Sequence, residues 1–151
     1  MSEYEYSLAV RAAPDEVFQF VSDPDNLARY LPTVHEAKAQ PGERLRVKGE
    51  AAGHFYDSDG FYHVNADERR MEWGSDGENR YRGWLQVMPT GGDAQVTVHL
   101  SFEPRPDQER QFEAQTGDRD VTIHQGLVDA LHSVKNLCEG GGKVQLRAIN
   151  R

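Results

Sequence analysis

Between Thr33 and Pro104 the sequence returns repeatedly to a period of two, and near its end it changes to a period of 3.6. Leu45, Val47 and Ala51 alternate with charged residues, and Met71 and Trp73 share a face. Tyr81, Leu85 and Val87 share another, and Val96, Val98, Leu100 and Phe102 alternate with Thr97, His99 and Ser101. Successive side chains of a strand point to opposite faces, so each run reads as a strand with one face buried. Ser75-Asp76-Gly77-Glu78, and Pro89 with Gly91-Gly92, supply turns, and strands joined by such short turns pair antiparallel. The stretch from His54 to Ala66 carries the same signal, with a break expected near Ser58-Asp59-Gly60.

Helical punctuation brackets this run. Tyr4, Tyr6, Leu8 and Val10 first form an alternating strand; Pro14 with Asp15 and Glu16 then opens a short helix whose apolar face is Val17, Phe18 and Val21. Ser22-Asp23-Pro24-Asp25 repeats the start signal for a second short helix through Leu27, Tyr30 and Leu31, closed by Pro32. Residues 104–119 are polar, a connection long enough to serve as a lid or entrance. Asp120 to Glu139 reads as a long helix. With Leu131 set at zero, 100° per residue puts His124 at about +20°, Leu127 at about −40°, Val128 at about +60° and Val134 at about −60°. That arithmetic makes one apolar face with a histidine near its centre. Gly140-Gly141-Gly142 ends the helix, and a tail follows to Arg151.

At 151 residues the chain fits a single domain over 1–151, with 140–151 as its tail. The lone Cys138 cannot form an internal disulfide and suits a reducing, cytoplasmic location. No basic-then-apolar leader opens the chain, and no apolar run reaches the roughly 18 residues of a membrane span. Seventeen Lys and Arg against 25 Asp and Glu leave a net charge of −8, which opposes nucleic-acid binding and association with anionic membranes. Arg44, Arg46 and Lys48 alternate on one strand face and read as its solvated side.

The order of strand, two short helices, a run of antiparallel strands and one long amphipathic helix resembles the START-like (SRPBCC) superfamily. That superfamily includes the polyketide cyclase/dehydrase and lipid-transport family. The resemblance is carried by Ala13-Pro14-Asp15-Glu16-Val17-Phe18, Ser22-Asp23-Pro24-Asp25-Asn26-Leu27 and Tyr30-Leu31-Pro32. Arg69-Arg70-Met71-Glu72-Trp73, Tyr81-Arg82-Gly83 and the segment from Leu127 to Leu137 carry the rest, so it spans roughly residues 3–139. It implies an α+β helix-grip fold, a curved antiparallel sheet wrapped around the C-terminal helix, with a cavity between them that receives lipids, polyketides or other apolar metabolites. The matching motifs are structural, and no catalytic residue is carried over from them. Fold alone does not settle function.

The candidate ligand contacts are His124, Tyr81, Trp73, Tyr56, Tyr62, His54 and Val128. His124 reads either as a structural histidine bonded to a strand backbone or as a cavity contact able to titrate near neutrality. If alternation holds through residues 54–64, His54, Tyr56, Tyr62 and Val64 share a face, whereas a bulge at Gly60 would flip half of them. Trp73 and Tyr81, across a hairpin, share the concave surface, and aromatic rings with polar tips suit a mostly apolar pocket. Gly83 on that face leaves room for the helix or a ligand. Trp84 belongs to the outer face, as a partner patch or covered by its neighbours.

Other chemistry finds little in the sequence. The six histidines form no H-x-x-x-H or H-x-H pair, so no metal site and no cofactor is expected. Asp57 and Asp59 read as a solvated turn, and Cys138 as an inert thiol on the apolar helix face. Gly140-Gly141-Gly142-Lys143 follows a helix instead of preceding one, and Val144 stands where a phosphate loop needs Ser or Thr. Three functions remain: a binder of a small apolar or aromatic ligand, a cyclase or dehydratase using His124 and a pocket tyrosine, and a protein-interaction module with a filled core.

Overall fold

The computed structural model describes residues 2–31, 34–51, 54–75, 80–103 and 119–139. Residues 104–118 of the expected connection over 104–119, and the tail over 140–151, lie outside them, and Arg119 already belongs to the helix. β1 (Ser2–Val10) leads into α1 (Pro14–Ser22), a 3₁₀ turn (Pro24–Asn26) and α2 (Leu27–Tyr30). β2 (Val34–Gln40), β3 (Arg44–Ala51), β4 (His54–Asn65), β5 (Arg70–Ser75), β6 (Arg80–Thr90) and β7 (Asp93–Glu103) follow, and α3 (Arg119–Glu139) comes last. The two short helices between the first two strands, and the long helix at the end, fall where the sequence placed their signals.

The seven strands form one curved antiparallel sheet in the order β1-β7-β6-β5-β4-β3-β2. Each neighbour in sequence from β2 to β7 is a neighbour in space, as short turns dictate. The β6–β7 turn is a two-residue hairpin at Gly91-Gly92, both with φ above zero (62° and 102°), a geometry that glycine adopts without steric cost.

Ser58-Asp59-Gly60 does not break β4. Its register runs unbroken from Ala51↔His54 to Arg44↔Phe61 on one side, and from Gly60↔Ser75 to Asn65↔Arg70 on the other. The turn-forming residues are held extended by β3. Arg46 donates two hydrogen bonds to Asp57, at 2.9 and 2.8 Å, and Arg44 faces Asp59 at 3.6 Å. The Arg46 guanidinium holds the Asp57 carboxyl below its usual range through those hydrogen bonds. Arg44, Arg46 and Lys48 thus form the outer side of β3, as read, with acidic partners across the strand pair.

The core lies between the inner sheet face and the helices. Val17 and Val21 of α1, Val10 of β1, Leu85 and Val87 of β6, Val96 of β7, and Leu131 and Val134 of α3 are wholly buried. Removing a side chain of this size from water contributes about 1.5–3 kcal/mol. Tyr30 is buried with them and donates its hydroxyl to the Val21 carbonyl at 2.7 Å, satisfying a polar atom that would otherwise cost stability. Burial raises the Tyr30 hydroxyl well above the ordinary tyrosine range.

Candidate functional site

Register brings part of the expected site together. Tyr62 of β4 stands directly across from Trp73 of β5, Trp73 from Gly83 of β6, Gly83 from Leu100 of β7, and Leu100 from Tyr4 of β1. This row crosses the inner face of five strands. Tyr81 has the parity of Gly83 two residues away and pairs with Phe102, so its backbone borders the same row. His54 and Tyr56 share that parity on β4, opposite Ala51 and Gly49. At about 3.3 Å per residue they stand roughly 20–26 Å along the strand from Tyr62. The side chains of His54, Tyr56 and Tyr81 lie outside the described residues.

Trp73 is half-buried, and its indole lies flat across Gly83. The opening that the missing side chain of Gly83 was expected to leave for helix or ligand is filled by this ring. Tyr62 is buried, donates its hydroxyl to the Ser22 carbonyl and lies 3.8 Å from Met71 Sδ. Burial pushes this hydroxyl far above its ordinary pKa, so it stays protonated and fastens β4 to the end of α1.

On α3 the buried residues are Leu127, Ala130, Leu131 and Val134, with Ile123, Leu137 and Cys138 packed beside them. On the same angular scale this stripe runs from about −120° to 0°, so its centre lies near −60°. His124 and Val128 stand on its flank: His124 is exposed and Val128 half-buried. The helix packs chiefly on β1, and more lightly on β7, α1 and α2. His124 accordingly meets Tyr6, with ring centroids 5.9 Å apart and planes at 87°. β7 and β6 separate β1 from β5, so Tyr6 and Trp73 sit about 14 Å apart along the sheet.

Tyr6 is absent from the candidates that the sequence suggests. Its hydroxyl is 3.4 Å from Nε2 of His132, which follows His124 and Val128 at four-residue steps on one helix flank. The spacing 124, 128, 132 is visible in the sequence; that this flank turns toward β1 is not. Cys138 is free and half-buried, and burial pushes its thiol up to about 11, which keeps it protonated and unreactive at neutral pH. Trp84 on the outer face is covered by its neighbours: Arg70 lies over it and His99 is stacked on it. Among the described residues no three His, Cys, Asp or Glu side chains gather as metal ligands, and no helix is long and apolar enough to cross a membrane.

Known proteins share this fold. The fold matches a Zhui aromatase/cyclase from Streptomyces sp. R1128 with a TM-score of 0.77 at 14% identity, over 92% of this chain and 94% of that one. It matches a protein from Thermus thermophilus with a TM-score of 0.75 at 18% identity, over 89% of this chain and 95% of that one. A START superfamily protein from Mycobacterium smegmatis matches with a TM-score of 0.67 at 14% identity, over 93% of this chain and 97% of that one. No curated protein matches the sequence. The family model described as polyketide cyclase / dehydrase and lipid transport matches residues 1–134, and the chain, with its helix-grip fold, belongs to that family.

Proposed function

We propose that the protein binds a small, largely apolar or aromatic metabolite, lipid- or polyketide-like, between the inner face of the sheet and α3. One observation carries this reading. α3 leans on β1, while Trp73 on β5, Val47 on β3 and Ala37 on β2 face the same side of the sheet and are only half-buried. An inward-facing tryptophan that keeps accessible surface marks space beside the helix, lined by the kind of ring that apolar ligands contact. In this proposal Trp73, Tyr62 and Tyr81 line the strand side, Tyr56 and His54 stand toward the far end of β4, and His124 with Val128 flanks the site at β1. Tyr62 offers its ring alone, because its hydroxyl is held by Ser22. The lone free cysteine suits a cytoplasmic setting for such a binder.

Native mass spectrometry of protein purified from its own host tests the reading. A retained apolar molecule at one per chain, released on denaturation, is expected. His124→Phe should weaken its retention while the fold survives. Bare protein that also takes up no apolar ligand on titration would oppose the reading.

A cyclase- or dehydratase-type activity is a second reading, favoured by the contact of Tyr6 with His124 and His132. A hydroxyl and an imidazole within reach of each other can donate and accept a proton on one substrate. Turnover of a polyketide-like substrate that falls in Tyr6→Phe, with affinity kept, would separate it from simple binding.

A further inference from the structure

The outer face of the sheet carries a hollow of about 280 Å³, on the side away from the described helices. Register sets Phe61, Gly74, Arg82 and Ser101 in one line across β4 to β7, and His63, Glu72, Trp84 and His99 in the next. Gly74 leaves a gap in the first line, and Arg82 leans across it with its guanidinium carbon 5.7 Å from the Phe61 ring centroid. In the second line Trp84 lies parallel to His99, with centroids 5.4 Å apart and planes at 7°, and the Arg70 guanidinium carbon sits 4.3 Å from the Trp84 ring. These two groups of side chains line the hollow, and Trp73 and Gly83 line it between them.

The charges are unevenly satisfied. Arg70 donates to Glu72 at 2.8 Å and to Gln86 at 3.2 Å. The ring nitrogens of His99 face Glu5 at 3.0 Å and Glu3 at 3.1 Å. The carboxylates nearest the hollow are therefore already engaged. Among the described residues, Arg82 has an aromatic ring against its guanidinium but no carboxylate in reach, and the Ser101 hydroxyl has no hydrogen-bond partner. A guanidinium that lies over a ring keeps its N–H groups for two parallel hydrogen bonds to a planar oxyanion, and loses less freedom in forming them.

We propose that this hollow binds a small one-ring aromatic carboxylate. Its carboxylate meets Arg82 and Ser101, and its ring lies between Phe61 and the Trp84–His99 stack. The site is on the opposite face of the sheet from the apolar site beside α3, so the two stand or fall separately.

Amide chemical-shift titration of the whole chain with benzoate tests it, with benzamide and inorganic phosphate as controls. Benzoate is expected to give saturable shifts at Gly74, Gly83 and Ser101 and at the Trp84 indole. Benzamide keeps the shape without the charge, and should bind about tenfold more weakly or worse. Phosphate should not saturate the same shifts. Arg82→Ala should lower benzoate affinity about tenfold with the rest of the spectrum unchanged, and Ser101→Ala should lower it by a smaller factor. Benzoate shifts confined to inner-face amides such as Leu45 and Val47 would overturn the proposal. So would equal binding of benzamide or phosphate, or Arg82→Ala and Ser101→Ala variants that both bind benzoate as tightly as the native chain.

Discussion

A methyl group added at Gly83 would stand 2.5–2.8 Å from the Trp73 indole, closer than real side-chain carbons approach. Gly83→Ala must therefore lift the indole from its seat, with an expected loss of about 1–3 kcal/mol in a denaturant melt and a shift in tryptophan emission. An unchanged melt would show that the indole has room to move. Tyr62→Phe keeps the ring and deletes the donor to Ser22 O, leaving a carbonyl without that partner. It should cost about 1–2 kcal/mol and leave apolar-ligand affinity nearly unchanged, because the hydroxyl already has its structural partner. A large loss of affinity with stability kept would instead make Tyr62 a ligand contact. The inward parity of both residues was legible in the alternation of their strands. That the Trp73 ring fills the place above Gly83, and that the Tyr62 hydroxyl reaches back to α1, depends on strand register and helix position, which a pattern of apolar residues does not encode.

At the scale of elements, α3 shows where periodicity stops. Its length was readable from the apolar stripe and the glycines after it. Its rotation was not, because Ala130 and Gly126 count for little in an apolar pattern while Val128 counts fully. The packing of α3 on β1 settled the choice, burying Ala130 and exposing His124. Leu131→Ala is expected to cost about 2–5 kcal/mol, and His124→Ala under about 0.5 kcal/mol. Comparable losses at the two positions would put the histidine in the core. The far end of α3 is tied to β1 through Glu139, which accepts from Lys135 Nζ at 2.6 Å and from the Arg11 backbone N–H at 2.8 Å. Burial pushes the Glu139 carboxyl up, but these hydrogen bonds outweigh it, so it titrates below its ordinary range. With the folded value below the unfolded one, its contribution is complete above about pH 4.3 and is lost as pH falls through the folded value. Glu139→Gln should therefore lower the melting temperature near neutral pH, with the gap to the native chain closing under acid. A gap that stays constant with pH would show that the carboxylate charge is not what holds the helix end.

For the whole molecule, strand order and helix placement could be read in advance because each turn and each change of period is local. The continuity of β4 could not, since Ser58-Asp59-Gly60 carries a turn signal that only the arginines of β3 override. No metal is expected to support the fold, so chelator treatment should leave the melting temperature unchanged; a drop reversed by zinc would contradict that. An apolar ligand is proposed to lodge beside α3 on the inner face of the sheet. The most direct test of this proposal is a titration of the Trp84→Phe variant with the neutral fluorophore phenylnaphthylamine, which leaves Trp73 as the sole tryptophan reporter. Saturable one-to-one binding is expected, with quenching of Trp73 and amide shifts on β3, β5 and α3. Absence of saturable binding by folded protein, or saturable binding that leaves Trp73 emission and those amides untouched, would contradict it.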